Sequence, residues 1–375
     1  MLRRVLVGGI ALAGCSGIAA GEIEIVRING LVNHARTDSG GISGDGSTVV
    51  GVSHFNMHRR AFRWTLENGV QDLGTVPGTF RSEANAVNAD GSVVVGRSYS
   101  NDGEEAFRWT EETGMENIGY PFFNRNSRAF DVSADGSVVV GVTIRYNIPR
   151  EFYWDESNGL RSFLPGTGIT NARANAISAD GNTIGGRLWS ADERLPFIWS
   201  ASGGLQLLSN LPDTNSGSIS SISRDGSVAV GSSSSNVHHG RSFIWRADTG
   251  IQEIGTFPDN AATYASVLSA DGSIVLGTRW TSAFEGRHRT FIWAEDLGIQ
   301  DLVEYFRSVG VGVDGWELIE VAGISDDNLT FTGTGYFEGR RTAWVVTIPS
   351  PSSLGVVALA FLLAPRRSRP GRWPA

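Results

Sequence analysis

Ala86-Val87-Asn88-Ala89-Asp90-Gly91-Ser92-Val93-Val94-Val95-Gly96 is followed by a polar loop, by Ala106-Phe107-Arg108-Trp109-Thr110, and after a short turn by Gly114-Met115-Glu116-Asn117-Ile118-Gly119. This stretch recurs along almost the whole chain of 375 residues. The Asp of its Asp-Gly step stands at 45, 90, 135, 180, 225 and 271, and Asp327-Asn328 is a degenerate copy. The Trp of its second half stands at 64, 109, 154, 199, 245, 293 and 344. A period near 45 residues carrying four strand-like pieces is the sequence sign of a β-propeller. The expectation is an all-β, seven-bladed β-propeller of four-stranded blades over residues 22–347, one closed body rather than several domains.

Each copy divides into four strand candidates. The first is of the kind Ala174-Asn175-Ala176-Ile177-Ser178, and the second is Val-rich, as in Val138-Val139-Val140-Gly141. The third carries Phe-x-Trp, as in Phe197-Ile198-Trp199, and the fourth ends in an apolar residue such as Leu73, Ile118, Phe163, Leu208, Ile254 or Leu302. The Asp-Gly step predicts a two-residue hairpin with positive φ at both central positions. Strand alternation puts the Phe and Trp of the third strand on one face. Trp64, Trp109, Trp154, Trp199, Trp245, Trp293 and Trp344 are expected to form the repeated core, face to face between neighbouring blades. Loss of one such ring costs about 3–5 kcal/mol. The small residues of the first strand, as in Ile219-Ser220-Ser221-Ile222-Ser223, place it innermost, where blades converge.

The apolar residue ending the fourth strand lies 17 before the next turn Asp in the first five copies, and the same step back from Asp45 reaches Ile28. Glu24-Ile25-Val26-Arg27-Ile28 therefore reads as a fourth strand with no blade of its own. Arg341-Thr342-Ala343-Trp344-Val345-Val346 is a third strand with no fourth after it. The N-terminal strand is expected to complete the last blade and close the ring, which removes an open edge.

The formal charge is −8, and Arg3, Arg4, Arg366, Arg367, Arg369 and Arg372 all lie at the ends, so the body between is more acidic still. That disfavours nucleic acid as a partner, because phosphate binding needs a basic footprint. All 31 basic residues are Arg. Cys15 is the one cysteine, so no intrachain disulfide can form.

Residues 1–21 read as a secretory signal peptide: Arg3 and Arg4, an apolar run over 5–13, and small residues at Ala19-Ala20-Gly21. Leu12-Ala13-Gly14-Cys15 resembles a bacterial lipobox, which offers Cys15 for lipidation as the alternative to cleavage after Ala20. Residues 348–375 open with Ile348-Pro349-Ser350-Pro351-Ser352-Ser353, continue with an apolar run over 354–364, and end in an Arg cluster. This tail resembles the PEP-CTERM sorting signal, departing from it at Ser350, where that signal carries Glu. The resemblance implies export and C-terminal sorting machinery as partners. The apolar run is shorter than the roughly 20 residues of a full span, which implies transient membrane contact.

The body resembles the HAF repeat of bacterial extracellular proteins. Arg60-Ala61-Phe62-Arg63-Trp64 and Glu105-Ala106-Phe107-Arg108-Trp109 keep its Ala-Phe-x-Trp without the His. Gly315-Trp316-Glu317-Leu318 through Gly323-Ile324-Ser325-Asp326-Asp327 resembles the closing unit of such proteins. The resemblance implies an exported propeller-like protein of the cell surface or matrix and no defined reaction, so it carries over no catalytic residue.

In this topology the second-to-third loops and the blade-to-blade connections share one end, which is where repeat proteins vary and bind. That end carries Phe80, Arg81, Tyr120, Phe123, Arg125, Tyr146, Arg187, Trp189 and Trp280 as candidate ligand-binding residues. Aromatic rings and Arg forks suit an extracellular polysaccharide or a surface protein. The competing structural role is a plug, with Tyr120, Phe122 and Phe123 sealing one end of the ring. Chemistry is less well marked. His-Glu-x-x-His and Gly-x-Ser-x-Gly are both missing from the sequence, and nothing in it implies a cofactor. His54 and His58 are loop residues with a weak claim on a metal. Ser-x-Asp-Gly resembles the Asp-box turn of glycan-cleaving propellers but lacks its Trp. Asp131 and Glu83, near inner strands, are the acids a secreted glycan hydrolase or lyase would use, as an alternative to a binding protein; an envelope scaffold without a small ligand is a third reading. Leu302, Tyr305, Phe306 and Val309 recur at helical spacing and predict a short amphipathic helix capping the ring, or serving as a lid.

Overall fold

Four-stranded units are present, each fourth strand stopping just short of the apolar residue expected to end it. The computed structural model describes residues 23–349 except 34, 120–125, 165–168, 170, 191, 237–238 and 281–287. Antiparallel four-stranded units follow one another over 36–72, 81–117, 126–161, 172–207, 216–253 and 262–301. A further sheet holds Trp316–Ile324, Thr330–Phe337 and Arg340–Thr347, and Val26–Ile28 lies beside its last strand. There Val26 faces Val345 and Ile28 faces Ala343, antiparallel. The N-terminal strand is shorter than residues 24–28, because Ile23–Glu24 pairs instead in parallel with Val311–Gly312 and Ile25 is buried between the two contacts.

The third strand explains the repeat, with one correction. The fully buried ring is the Phe of Phe-x-Trp: Phe62, Phe107, Phe152, Phe197, Phe243 and Phe291 have no exposed surface. Trp64, Trp154, Trp199 and Trp293 are only half-buried, while Trp109 and Trp245 are buried. The cause is the Gly that follows the apolar run inside each second strand. Gly51 stands directly across from Phe62, and a Cβ there would lie 2.1 Å from the Asp38 carbonyl oxygen and 3.0 Å from the Phe62 ring. The missing side chain lets the ring lie flat over the strand. In the last sheet the residue facing the equivalent Gly333 is Trp344, so Trp344 occupies the Phe position and not the Trp position. Nor do the Trp rings stack on one another as expected: Trp199 meets Phe163 at 5.0 Å and Trp344 meets Phe306 at 6.1 Å.

Each unit shares its core with its neighbour. Val50, Ala61 and Leu73 of the first unit pack with Phe107 and Trp109 of the second. Ile198 and Leu208 of the fourth pack with Phe243 and Trp245 of the fifth. Val49 and Phe62 of the first pack with Ile28, Ala343 and Val345 of the last sheet. A sheet that buries one face only against its neighbour is stable only in a stack, which is the physical content of the repeat.

The Asp-Gly turn is not the two-residue hairpin the sequence suggests. Gly46 has φ +73, but Asp45 does not share the left-handed conformation. The loop runs from Ser43 to Thr48, and Asp45 organises it by accepting from the Ser43 hydroxyl at 2.5 Å and the Ser47 N–H at 2.9 Å. These turns are also sewn to each other. Asp326 donates its N–H to Gly44 O, Asp45 to Ala89 O, Ala89 to Ala134 O, Ala134 to Ala179 O, Ala179 to Arg224 O, and Arg224 to Ala270 O. The Asn328 amide donates to Asp271 at 3.0 Å, and Arg224 forms an ion pair with Asp326.

The helix is Leu302–Ser308, capped by the Asp301 side chain accepting from the Val303 N–H. It lies within the structure and not over it as a lid. Leu302 and Phe306 are fully buried, and Phe306 meets Phe331 edge-on at 5.4 Å. It thus fills the core between the sixth unit and the last sheet.

Candidate functional site

The inner strand of each unit carries a register shift at the same place, such as Ala84 to Ala86, Ala129 to Asp131 and Ala174 to Ala176, and that of the last sheet has a second one at Leu318 to Glu320. Such bulges bend a strand and re-aim its side chains. Just before the shift is the residue seven positions ahead of the turn Asp. It reads Asp38, Glu83, Arg128, Arg173, Ser218, Tyr264 and Glu320 through the seven copies. It is one of several inner-strand positions that vary between copies, as does the residue two further on, which reads Gly40, Asn85, Phe130, Asn175, Ser220, Ser266 and Ala322.

A cavity of about 790 Å³ opens among these strands, lined by Arg173, Ser218, Tyr264 and Glu320 from that position, with Phe130, Asn175 and Arg187 nearby. A second cavity of about 390 Å³ shares Arg194, Ser216 and Ser234 with the first and adds Trp189 and Glu193. Arg187 and Trp189, two of the sequence candidates, therefore come together here. The guanidinium of Arg187 lies 4.5 Å from the Trp189 ring centre, and that of Arg173 lies 3.9 Å from the Phe130 ring. Cation–π contact of this kind holds the forks in place. Arg173 and Arg187 are direct cross-strand partners. Burial first, then the charges of Arg187, Arg128 and Arg97, pull Arg173 down to about 10, and burial with the Arg194 charge lowers Arg187. Both remain cationic near neutral pH.

The other candidates lie elsewhere. Phe80 is 40% exposed with the Arg81 guanidinium 5.4 Å from its ring, Tyr146 is 76% exposed, and Trp280 meets His239 edge-on at 6.1 Å. The connections and the second-strand ends do meet, as expected: Phe80 donates its N–H to Tyr99 O, and Trp189 donates to Asn171 O. Cys15, Tyr120, Phe122, Phe123 and Arg125, with the leader and the tail beyond residue 349, lie outside the described residues. Sequence reasoning missed Arg173, Phe130 and Asn175. The signal was the inner-strand positions that change from copy to copy.

The acids proposed for catalysis are engaged otherwise, and neither lines the cavity. Glu83 accepts from Arg59 at 2.8 Å and from Arg97 at 2.7 Å. Burial alone would raise its pKa, but the Arg97 charge and the hydrogen bonds from both guanidinium groups prevail and hold it below the ordinary value. Asp131 accepts the Val132 N–H at 2.8 Å and the Ile177 N–H at 2.9 Å, tying the third unit to the fourth. Burial outweighs those two bonds and pushes it up to about 6. Ser221 fills the same bulge position in the fifth unit and accepts the Leu268 N–H at 3.2 Å, which marks the role as structural. His54 Nε2 lies 3.0 Å from Asp38, and His58 stacks on Phe55 at 5.7 Å. Among the described residues no group of three or more His, Cys, Asp or Glu side chains could hold a metal. No described helix is long and apolar enough to cross a membrane.

No protein-family profile matches the chain, and no curated protein sequence does. Solved structures do. The oligogalacturonate lyase of Vibrio parahaemolyticus superposes with a TM-score of 0.60 at 12% identity, covering 88% of this chain and 95% of that one. An oligogalacturonate lyase in complex with manganese gives 0.56 at 12% identity, over 88% and 97%. The β-propeller domain of the trilobed protease of Pyrococcus furiosus, which has an open velcro topology, gives 0.56 at 12% identity, over 84% and 96%. Identity this low shows the fold alone. With the repeated sheets, it makes this chain an all-β protein of propeller-like architecture.

Proposed function

We propose that the chain is an exported, non-catalytic repeat protein of the HAF type that binds a glycan or a surface protein at the loop-rich end of a seven-bladed ring. The observation that carries this is the 790 Å³ cavity, walled in part by non-repeating positions of the inner strands and sharing Arg194, Ser216 and Ser234 with the cavity beside Trp189. A scaffold position that varies while its frame is constant is where a repeat protein places recognition. Ring closure by the N-terminal strand is supported by the pairing of Val26–Ile28 with Arg340–Thr347, by the core that Ile28 shares with Phe62, and by the Asp326-to-Gly44 hydrogen bond. Export is supported by the two ends of the sequence, which frame the body with a leader-like and a sorting-like segment.

A glycan array and a surface-protein panel probed with the full chain test the binding role. The expected result is a defined set of ligands, with binding lost when Trp189 becomes Ala. Turnover of any polysaccharide, or no ligand in either panel, contradicts it. For the ring, Ile28→Asp is expected to lower the unfolding midpoint sharply, because it puts a charge into a fully buried inter-unit core.

A further inference from the structure

We propose that Arg173 and Arg187 bind the carboxylate of a uronate-bearing glycan inside the inner-strand cavity. The inference deepens the glycan-binding reading above and rests on it. Its starting point is a like-charge pair. Arg173 and Arg187 face each other directly across two strands, an arrangement that is unfavourable by itself. Among the described residues neither has an acidic partner within ion-pair distance, and the Nε of each is buried without a hydrogen-bond acceptor. Each guanidinium is stacked on a ring, Phe130 or Trp189, which fixes its plane and leaves its N–H edge for a ligand. A planar fork fits a carboxylate with two parallel hydrogen bonds.

A second group narrows the ligand. Asn175 lies two residues from Arg173, at the bulge of the same strand, and lines the same cavity. Its amide donates to Ile219 O at 2.8 Å and to the Ser218 hydroxyl at 2.9 Å, which leaves its Oδ1 buried and unpartnered. The site thus presents cationic donors beside a vacant acceptor. A simple anion satisfies only the donors. A uronate offers a carboxylate to the forks and a ring hydroxyl to the acceptor. The nearby wall contributes the hydroxyls of Ser218, Ser232 and Ser266 and the ring of Tyr264, which suit sugar hydroxyls and a sugar face better than the apolar side chains of a peptide. The volume, about 790 Å³, lies within the range of small-ligand sites. The second cavity, bordered by Trp189, shares Arg194, Ser216 and Ser234 with it.

The experiment is titration of the full chain with galacturonate, glucuronate and mannuronate oligosaccharides, their carboxyl-reduced neutral counterparts, sulfated neutral oligosaccharides, and poly-glutamate. The expected result is binding of at least one uronate series, with the neutral counterpart weaker by tenfold or more. Arg173→Met with Arg187→Met should reduce uronate affinity by at least tenfold, and Arg173→Lys, which keeps the charge but loses the fork, should reduce it less. Thermal melts of each variant report folding. If the double variant melts early, the uronate-against-neutral ratio of the wild-type chain decides alone. Equal affinity for neutral counterparts, or undiminished uronate binding by a folded double variant, overturns this inference and leaves the glycan-binding role standing. Preference for the sulfated sugars or for poly-glutamate also overturns it. Binding of no glycan at all overturns both.

Discussion

The second and fourth units hold the same pair of positions in the same register, and fill them oppositely. In the second unit Glu83 faces Arg97; in the fourth Arg173 faces Arg187. Glu83 is the centre of a chain of ion pairs running from Arg59 through Glu83 to Arg97, and on through Glu104 to Arg128. Asp38 in the first unit does the same for Arg36, His54 and Arg341, and so joins the start of the repeat to the last sheet. The fourth unit has the cations without the acids. Cross-strand opposite charges stabilise a sheet and like charges destabilise it. The difference teaches that the inner position is a cement in the first units and an open, electrostatically unsatisfied wall in the fourth. Natural binding sites commonly give up stability in this way.

The sharpest tests begin with what the two units share. Phe197→Ala in the fourth unit should cost about 3–5 kcal/mol, as should Phe107→Ala in the second, because both rings are fully buried over a Gly. Trp199→Ala should cost less than Phe197→Ala, since Trp199 is only half-buried. Urea unfolding measures both. A larger loss at Trp199 would restore the Trp as the keystone.

Next comes the contrast itself. Asp38→Asn leaves the Arg36 and Arg341 guanidinium groups around a neutral amide in a part-buried site, and should cost about 3 kcal/mol. Glu83→Gln should cost about 1–3 kcal/mol, the loss of charge-assisted bonds to Arg59 and Arg97. Equal stability of Glu83→Gln and the parent would remove the cement from the account.

The smallest effect is in pH. Asp38 and Glu83 are held below their ordinary values, so their contribution to stability is present above the usual carboxylate range and is lost as pH falls through it. Asp131 has the opposite sign. Its value is raised to about 6, so its contribution is present below about 4 and is lost as pH rises through about 6. Unfolding free energies of the parent and of Asp131→Ser, compared at pH 4 and pH 7, should differ in the parent's favour more at pH 4. A difference that grows towards pH 7 would mean that the two N–H donors, and not burial, govern this carboxyl.

Much of the frame was legible in the sequence, because a hydrophobic period of 45 residues leaves one way to bury each sheet. The order of strands, the pairing of the N-terminal segment near Ile28 and the burial of Leu73, Ile118 and Leu208 all follow from spacing. Three features were not legible. Phe and Trp share a strand face, and only the cross-strand Gly decides which is buried deeper. Trp344 matches the other Trp by type but the Phe by register, a shift of two residues that spacing blurs where the last copy lengthens. The site was half visible. Loop-end residues draw attention to Arg187 and Trp189, but Arg173 reads as one more polar residue in an inner strand until the bulge and the cavity place it.

The most direct test is equilibrium unfolding of Arg173→Met and the parent, each with and without a uronate oligosaccharide. Without ligand the variant should be as stable as the parent or more stable, because it removes an unpaired, desolvated cation. With ligand the parent should gain stability and the variant should not. A variant that is destabilised alone and gains as much as the parent on adding ligand would make Arg173 structural, and contradict the account.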